Sequence, residues 1–260
     1  MFFQWGFLLL TMPPIKTDAF VLDKINFRET SVILTLFTRE FGKIKGVLKG
    51  VRSQKSKIPP LTFSEGSYIY LFVYKRKTGL NLFTSPTLID FLNFEKKSEF
   101  RVFLWILKLI DLFVPENQIE EKIFSLIFGS KEVLKYTKKP YLVFLGFKIK
   151  FIETLGYGIK TDICSKCNSN KKIYFFSPKM GGVICGECGK REFDCIKISG
   201  KINSIMRFMK RIDLKDVEIL KIKKSECEKI NFLCNLVLYY HTSFDLIWWE
   251  NEKYIFRKDY

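Results

Sequence analysis

Residues Ser31 to Gly50 read SVILTLFTREFGKIKGVLKG, two runs rich in β-branched and apolar residues that are separated by a short turn with a glycine. Residues of this kind favour short β-strands, and glycine between such runs marks a tight turn. Similar runs, AFVLDKI, SYIYLFVY and LNLFTSPTLI, begin at residues 19, 67 and 80. Five short strands without helical crossovers predict a small barrel such as the OB-fold within residues 12–92.

The pattern of apolar residues changes after residue 93. The 3.6-residue spacing of helices appears over 97–114, 117–136 and 140–156, with Pro115 and Pro140 at the boundaries. Two further helices are predicted near 199–210 and 225–241, and one face of the second would carry Cys227, Ile230, Cys234, Val237 and Tyr240. The predicted fold class is α+β: an amino-terminal OB-fold barrel followed by an α-helical domain over 93–260, with an insert at 161–193.

The insert contains two C-x-x-C pairs, formed by Cys164, Cys167, Cys185 and Cys188. Two such pairs at this separation are typical of a ribbon-type structural zinc site. Redox-active disulfides and cysteines kept for packing are the alternatives, but the glycine-rich CGECGK sequence is a poor match to a thioredoxin-like helix start. Because all four ligand positions are cysteine, we expect one structural Zn2+ per chain. Packing roles are expected for Cys195, Cys227 and Cys234.

The chain is strongly basic, with a formal net charge of +17, which indicates a polyanionic partner, nucleic acid before anionic membrane. An AT-rich genome also produces a lysine-rich composition, so the clustering of charges is more informative than their sum. The charges cluster in residues 39–57 and in the YKRK sequence that begins at residue 74. The predicted DNA-binding residues are Arg39, Lys43, Lys45, Lys49, Arg52, Lys55, Lys57, Lys75, Arg76 and Lys77.

Aromatic residues of the barrel are candidates for stacking on bases, as in OB-folds that bind single strands. These candidates are Phe37, Phe41, Tyr68, Tyr70 and Tyr74. Aromatic residues in a strand more often pack in the core, and a solvated basic loop without a partner is the alternative interpretation of the charges.

Motifs for catalysis are absent from the sequence: it has no Walker loop, G-x-S-x-G elbow, H-E-x-x-H pair or dinucleotide-binding glycine fingerprint. The one histidine, His241, has no nucleophile motif near it, so we expect a structural role for it. We therefore predict that the protein is not an enzyme.

The first residues, MFFQWGFLLLTMPP, lack the basic region and cleavage site of a signal peptide and are too short to span a bilayer. We predict that Met12 is the true start and that residues 1–11 are a non-native extension; a membrane anchor is the alternative interpretation of this segment. The expected location is the cytoplasm, in association with the nucleoid.

The sequence from Ala19 to Lys57 resembles the amino-terminal signature of the bacterial RecO family of DNA repair proteins. In that signature an E-x-S-x-I-L-x-L-F-T strand runs into a G-x-I-x-x-x-x-K-G-x-R turn. FIETLGYGIKTDICSKC and FSPKMGGVICGEC resemble the same family where its helical domain joins a zinc insert. The resemblance covers residues 15–245.

This resemblance implies a recombination mediator that binds single- and double-stranded DNA and anneals complementary strands. With RecR as partner, such proteins help RecA to load onto DNA coated with single-strand-binding protein (SSB), whose acidic carboxy-terminal tail they recognise. Some members lack the zinc cysteines, which implies a scaffolding role for the metal. Two alternatives stay open: an RNA-binding or transcription-type factor with a zinc ribbon and an OB-fold, and an adaptor that does not bind DNA.

Overall fold

A computed structural model of the chain describes residues 13–242. The predicted extension at 1–11 and the predicted start at Met12 lie outside the described residues, as does the carboxy-terminal WWENEKYIFRKDY sequence. The described chain forms two compact units. One contains residues 13–94 and 107–125, and the other contains residues 95–106 and 126–242.

The first unit is built on a closed barrel of five strands in the order β1-β2-β3-β5-β4. The strands are β1 (Ile15–Phe27), β2 (Ser31–Thr38), β3 (Gly42–Leu48), β4 (Tyr68–Tyr74) and β5 (Asn81–Asp90). Neighbouring strands are antiparallel except β3 and β5, which are parallel. Each strand covers one of the β-rich runs of the sequence, so the predicted OB-like barrel is confirmed.

The barrel core is made by alternate residues of each strand, because successive side chains of a strand point to opposite faces. In β4 the inward residues Ile69, Leu71 and Val73 are at most 1% exposed. The long strand β1 contains a bulge between Val21 and Asp23. A bulge of this kind increases the local bend and twist, which lets one strand pair with both β2 and β4.

A close approach of β3 to β5 closes the barrel. Gly46 lies opposite Asn81, and Leu48 lies opposite Phe83. A Cβ atom on Gly46 would lie 2.5–2.6 Å from carbon atoms of the Phe83 ring. The missing side chain at residue 46 therefore provides the space that the buried Phe83 ring fills.

Two helices contribute residues to the barrel unit: α1 (Lys97–Phe113) and α2 (Glu121–Leu134). Phe124 of α2 packs on Phe20 and Phe37, with ring centroids 5.6 and 6.0 Å apart. A helix was predicted to begin at residue 117, but α2 begins at Glu121. The reason is that Asn117 has a left-handed backbone, with φ of 62°, and its N–H donates to the carbonyl of Lys43 instead.

The second unit contains α3 (Pro140–Thr154), α5 (Gly200–Arg211) and α6 (Lys224–Thr242). Helix α3 is buried on nearly all sides and contacts α5, α6 and a 3-10 helix at Leu214–Ile219. As predicted, Pro140 begins α3, where its fixed φ and missing N–H are well tolerated. None of the helices between residues 13 and 242 is long and apolar enough to cross a membrane.

The predicted apolar face of α6 is confirmed except at its end. Cys227, Ile230, Cys234 and Val237 are fully buried, but Tyr240 is 42% exposed. Residue 240 lies six residues beyond Cys234. At about 3.6 residues per turn, this places its side chain about 120° away from that face. The one histidine, His241, stacks on the ring of Tyr157 at 4.7 Å between centroids.

The insert predicted at 161–193 forms a small sheet of its own, which extends past the predicted end to Lys197. Its elements are β6 (Ile173–Ser177), β7 (Gly182–Cys185), the short helix α4 (Gly186–Gly189) and β8 (Ile196–Lys197), and the strand order is β7-β6-β8.

Replacing Gly46 by valine should lower the free energy of unfolding by about 1–3 kcal/mol, because the new side chain must displace the Phe83 ring from the core. Equilibrium unfolding in urea measures the change. Gly129→Ala is the control: it lies in α2 with open space around it, and alanine is the better helix former by about 1 kcal/mol. A Gly46→Val protein as stable as the wild type would contradict this explanation of barrel closure.

Candidate metal centre and nucleic-acid interface

Two turns of the insert carry the cysteine pairs. Cys164 and Cys167 lie in a turn closed by a 2.9 Å hydrogen bond from Asn168 N to Cys164 O, and Asn168 has a left-handed φ of 54°. Cys185 ends β7, and Cys188 lies in α4 directly after it. The backbone N–H of Ser165, in the first turn, donates to the carbonyl of Val183 in β7 at 2.8 Å, which brings the two turns together.

The four sulfur atoms form one compact cluster, in which all lie within 4.8 Å of one another. The Sγ atoms of Cys167 and Cys185 are 3.9 Å apart, close to the ~3.8 Å between ligands of a tetrahedral ion with metal–sulfur bonds of about 2.3 Å. The N–H of Cys185 also donates to Sγ of Cys164 at 3.3 Å, which stabilises a thiolate. All seven cysteines are free thiols. The cluster therefore fits one metal ion.

The electrostatic environment differs among the four thiols. Hydrogen bonds from Ser169 lower the pKa of Cys167 to about 6, whereas hydrogen bonding to Cys185 and burial raise the pKa of Cys188 to about 12. Because a metal ion binds the thiolate form, binding at the raised-pKa Cys188 must release a proton. Two lysines beside the cluster form ion pairs with acids of the insert: Lys166 with Glu192, and Lys171 with Glu187.

The remaining cysteines lie outside the cluster of four. Cys195 is partly buried and packs beside the cluster. Cys227 and Cys234 are fully buried on α6. These positions agree with the predicted packing roles.

Three of the ten predicted DNA-binding residues are engaged within the barrel unit. Lys43 is only 8% exposed and donates a hydrogen bond to the backbone carbonyl of Asp111, and burial lowers its pKa. Lys45 lies on the same face of β3 and forms a 2.9 Å ion pair with Glu116. Arg39 also pairs with a carboxylate of the same unit. The charges of these three side chains are therefore partly satisfied inside the protein.

Six of the other predicted residues lie in loops beside the barrel, together with Arg28 of the β1–β2 turn and Lys24 near the end of β1. We call this surface the cationic rim; it comprises Lys24, Arg28, Lys49, Arg52, Lys55, Lys57, Arg76 and Lys77. Lys24 is half-buried and the other seven are exposed. Within residues 13–242, no carboxylate forms an ion pair with a rim side chain. The tenth predicted residue, Lys75, adjoins the rim and donates to Asn117 Oδ1 at 2.8 Å.

Two clefts run between the rim residues. Arg28, Lys49 and Arg76 line a cleft of about 410 Å³. Lys24 and Arg52 line a second cleft of about 390 Å³. The guanidinium of Arg52 donates to the carbonyl of Arg28 at 3.3 Å, which ties the two clefts together. The rim is thus a structured surface that places five cations around two depressions.

Sequence interpretation misses Lys24 and Arg28, because neither belongs to a run of basic residues. The strand register explains their place: Val32 of β2 lies opposite Leu48 of β3, so the turn between β1 and β2 lies beside the loop that follows β3. The hairpin itself is visible in the sequence as two β-rich runs around FRET. Pairing the predicted strands would have brought Arg28 close to Lys49.

The five candidate aromatic residues differ in their environments. The prediction is wrong for Phe37, which is fully buried under Phe124 and has no free ring face. Tyr68 is half-buried, stacks on Phe20 at 4.8 Å and donates to Asp18; burial, followed by this hydrogen bond, raises its pKa. Phe41 and Tyr74 are half-buried, and Tyr70 is 42% exposed.

Comparison with known proteins places both units in one family. Residues 12–92 match the family model "Recombination protein O N terminal", and residues 102–246 match "Recombination protein O C terminal". The chain is 32% identical over 218 residues to the DNA repair protein RecO of Caldicellulosiruptor saccharolyticus, covering 81% of this chain and 86% of the relative. It is 31% identical to the RecO protein of Caldicellulosiruptor bescii, covering 84% and 89%, and 35% identical to that of Chlorobium limicola, covering 58% and 59%.

Replacing Cys185 by serine should abolish stoichiometric metal binding, because a hydroxyl is a poor ligand for an ion held by thiolates. Protein prepared without chelator should contain one metal ion per chain, and the Cys185→Ser protein much less than one. Elemental analysis measures both values.

Cys195→Ser is the matched control, since Cys195 packs beside the cluster without belonging to it. It should keep the metal content of the wild type. Equal metal loss in both variants, or no metal in the wild type, would show that the four cysteines are not a metal site.

Proposed function

The chain belongs to the recombination protein O (RecO) family, and on that premise we propose that it acts in DNA repair and recombination as a DNA-binding mediator without catalytic activity of its own. The observation that carries this proposal is the cationic rim: eight basic side chains, seven from three loops and Lys24 from β1, with no ion-paired carboxylate among the described residues. Such a surface has its charge available for an external polyanion.

Binding would depend mainly on phosphate contacts. Lysine and arginine that neutralise phosphates release condensed counterions, and this contribution is largely independent of base sequence. The two clefts, with Arg28 and Arg52 linked through a hydrogen bond, give the rim a defined shape that a strand can follow. Single- and double-stranded DNA should both bind, because both present phosphates.

Annealing follows from the same electrostatics. Two complementary strands repel each other through their phosphates, and a shared cationic surface reduces this repulsion while both strands are held close together. Pairing then proceeds without ATP and without making or breaking a covalent bond. We propose this role for the rim residues in preference to Lys43 and Lys45, whose ammonium groups are engaged by Asp111 and Glu116.

We propose that the metal is Zn2+, held by Cys164, Cys167, Cys185 and Cys188. Tetrahedral coordination by four thiolates suits zinc, and four protein ligands leave no position for water. When bound, the ion supplies a structural cross-link between the two turns. The residues around it support that role: Cys164 and Cys185 are at most 1% exposed and form a small core with Ile184.

The proposed partners follow from the family. We propose that the protein acts with RecR, binds the acidic carboxy-terminal tail of SSB and helps RecA to load onto SSB-coated DNA. An acidic peptide and a phosphate backbone would both be attracted by the chain, whose formal net charge is +17. A cytoplasmic, nucleoid-associated location is part of the same proposal.

Replacing Lys49 and Arg52 by glutamine should weaken binding of a single-stranded oligonucleotide about tenfold at 0.1 M salt, because two phosphate contacts and their counterion release are lost. It should also reduce the slope of log affinity against log salt by ~0.7 for each lost contact. Fluorescence anisotropy over a range of salt concentrations measures both quantities. The effect should be similar for different base sequences, because phosphate contacts carry no sequence information.

The control is the removal of two exposed lysines from the helical unit, Lys221→Gln with Lys223→Gln, which changes the net charge equally. It should leave the salt slope unchanged. If both double variants lose the same affinity and slope, bulk charge alone explains binding and the rim is not a site. If the wild type binds no DNA, and the rim variant binds the acidic tail of SSB more weakly than the wild type does, the adaptor alternative is correct.

Annealing of complementary strands coated with SSB should slow in the Lys49→Gln, Arg52→Gln variant in parallel with its loss of DNA affinity, because both strands need the same surface. A fluorescence-quenching assay with labelled strands measures the rate. Lys43→Met is a further comparison: it should retain annealing, since the Lys43 ammonium is bound internally. An annealing rate that falls in the Lys43→Met protein but not in the Lys49→Gln, Arg52→Gln variant would refute the proposed surface.

A further inference from the structure

The outward face of β4 carries an unbroken series of aromatic side chains. Its sequence is YIYLFVY, and the residues that alternate with the buried Ile69, Leu71 and Val73 are all aromatic. The outward residues are Tyr68, Tyr70, Phe72 and Tyr74. Tyr70 is 42% exposed and Phe72 is 37% exposed, whereas the two end residues are half-buried. Two large aromatic side chains thus lie next to each other on the outside of the barrel, where no core requires them.

The neighbouring strands leave this face open. On the β5 side, Thr87 lies opposite Tyr70 and Thr84 lies opposite Phe72, and both side chains are small. On the β1 side, Lys16 lies opposite Phe72, and Asp18, which is buried and paired with Arg39, lies opposite Tyr70. The Lys16 ammonium is 4.3 Å from the centroid of the Tyr70 ring. Lys16 is exposed, so its flexible side chain can move to a phosphate and leave the ring to a base.

The spacing of the rings suits an unpaired strand. Residues two apart in a β-strand are separated by about 6.7 Å, roughly twice the ~3.4 Å between successive nucleotides of a strand in B-form DNA. A single strand can unstack and extend to reach both rings. A duplex cannot, because the faces of its bases are enclosed in its own stack.

The face is continuous with the cationic rim. Strand β4 ends at Tyr74 and is followed directly by Lys75, Arg76 and Lys77. Arg76 lines the 410 Å³ cleft together with Arg28 and Lys49. A strand whose phosphates lie on the rim could therefore extend along β4 without leaving the barrel unit. Positive charge beside an exposed aromatic pair favours a nucleic acid over an apolar protein partner.

We propose that Tyr70 and Phe72, with Lys16, form a base-stacking platform that selects single-stranded over double-stranded nucleic acid. This inference rests on the proposed function, since the rim supplies the phosphate contacts. The platform adds what the rim lacks, a contact that only an unpaired base can make. A mediator with this surface holds each strand by its bases until the complementary strand arrives.

The test is the double variant Tyr70→Val, Phe72→Val, in which β-branched residues keep the strand propensity and remove the rings. Anisotropy titrations use a dT oligonucleotide, an abasic oligonucleotide of equal length and a hairpin duplex, all at fixed salt. The variant should bind dT at least about fivefold more weakly for each ring removed. Its affinity for the duplex, and its salt slope on dT, should stay the same. Tyr136→Val, which removes a 68% exposed tyrosine from the helical unit, should change nothing.

The abasic oligonucleotide keeps the inference testable if the variant does not fold. Wild-type protein should bind it more weakly than dT, and the folded double variant should bind both equally. Equal wild-type affinity for dT and abasic strands overturns the platform, as does an equal loss on single and double strands. A change of oligomeric state with unchanged dT affinity would identify the face as a self-association surface instead. If wild-type protein binds no DNA at all, the proposed function itself fails.

Discussion

The parallel pairing of β3 with β5 is the constraint on which the barrel unit depends. An open sheet of these five strands would leave two unpaired edges, and this pairing removes both. It requires Gly46, because a side chain there would collide with the Phe83 ring. The end of β3, with Lys49 directly after it, lines one cleft together with Arg76 and Leu80 of the β4–β5 turn. Together with the β1–β2 turn, the loop after β3 and the β4–β5 turn carry most of the cationic rim, so the topology concentrates charge that is dispersed along the sequence.

Charge in this chain serves two different purposes. Lys43 and Lys45 hold the 107–125 segment against β3 through Asp111 and Glu116. The buried, hydrogen-bonded Lys43 has little left to offer a phosphate, and the exposed Lys45 is already paired with a carboxylate. The rim side chains are solvated and make no ion pair in the described part of the chain. A net charge of +17 therefore says less about binding than the location of the side chains that remain available. The cysteine cluster lies in a sheet too small for a large core, and in such small scaffolds a bound metal can supply stability that the core does not.

Features that depend on local pattern could be predicted from the sequence. The five strands follow from β-rich runs bounded by turn residues, and the cysteine cluster follows from two C-x-x-C turns. Features that depend on distant contacts could not. From the local sequence alone, Phe37 could be an exposed strand residue. It is buried because Phe124, which is distant in the sequence, packs on its ring. Arg28 gains its neighbours only through strand register.

Photocrosslinking of a 4-thiothymidine oligonucleotide to the whole protein, with mass spectrometry of the crosslinked peptides, tests most directly whether the barrel unit holds the DNA strand. Crosslinks should concentrate in peptides that contain residues 24–28, 49–57 and 70–77. They should disappear on competition with unlabelled single strands. Specific crosslinks confined to residues 126–242, with none in the barrel peptides, would contradict the assignment of DNA binding to the rim and to β4.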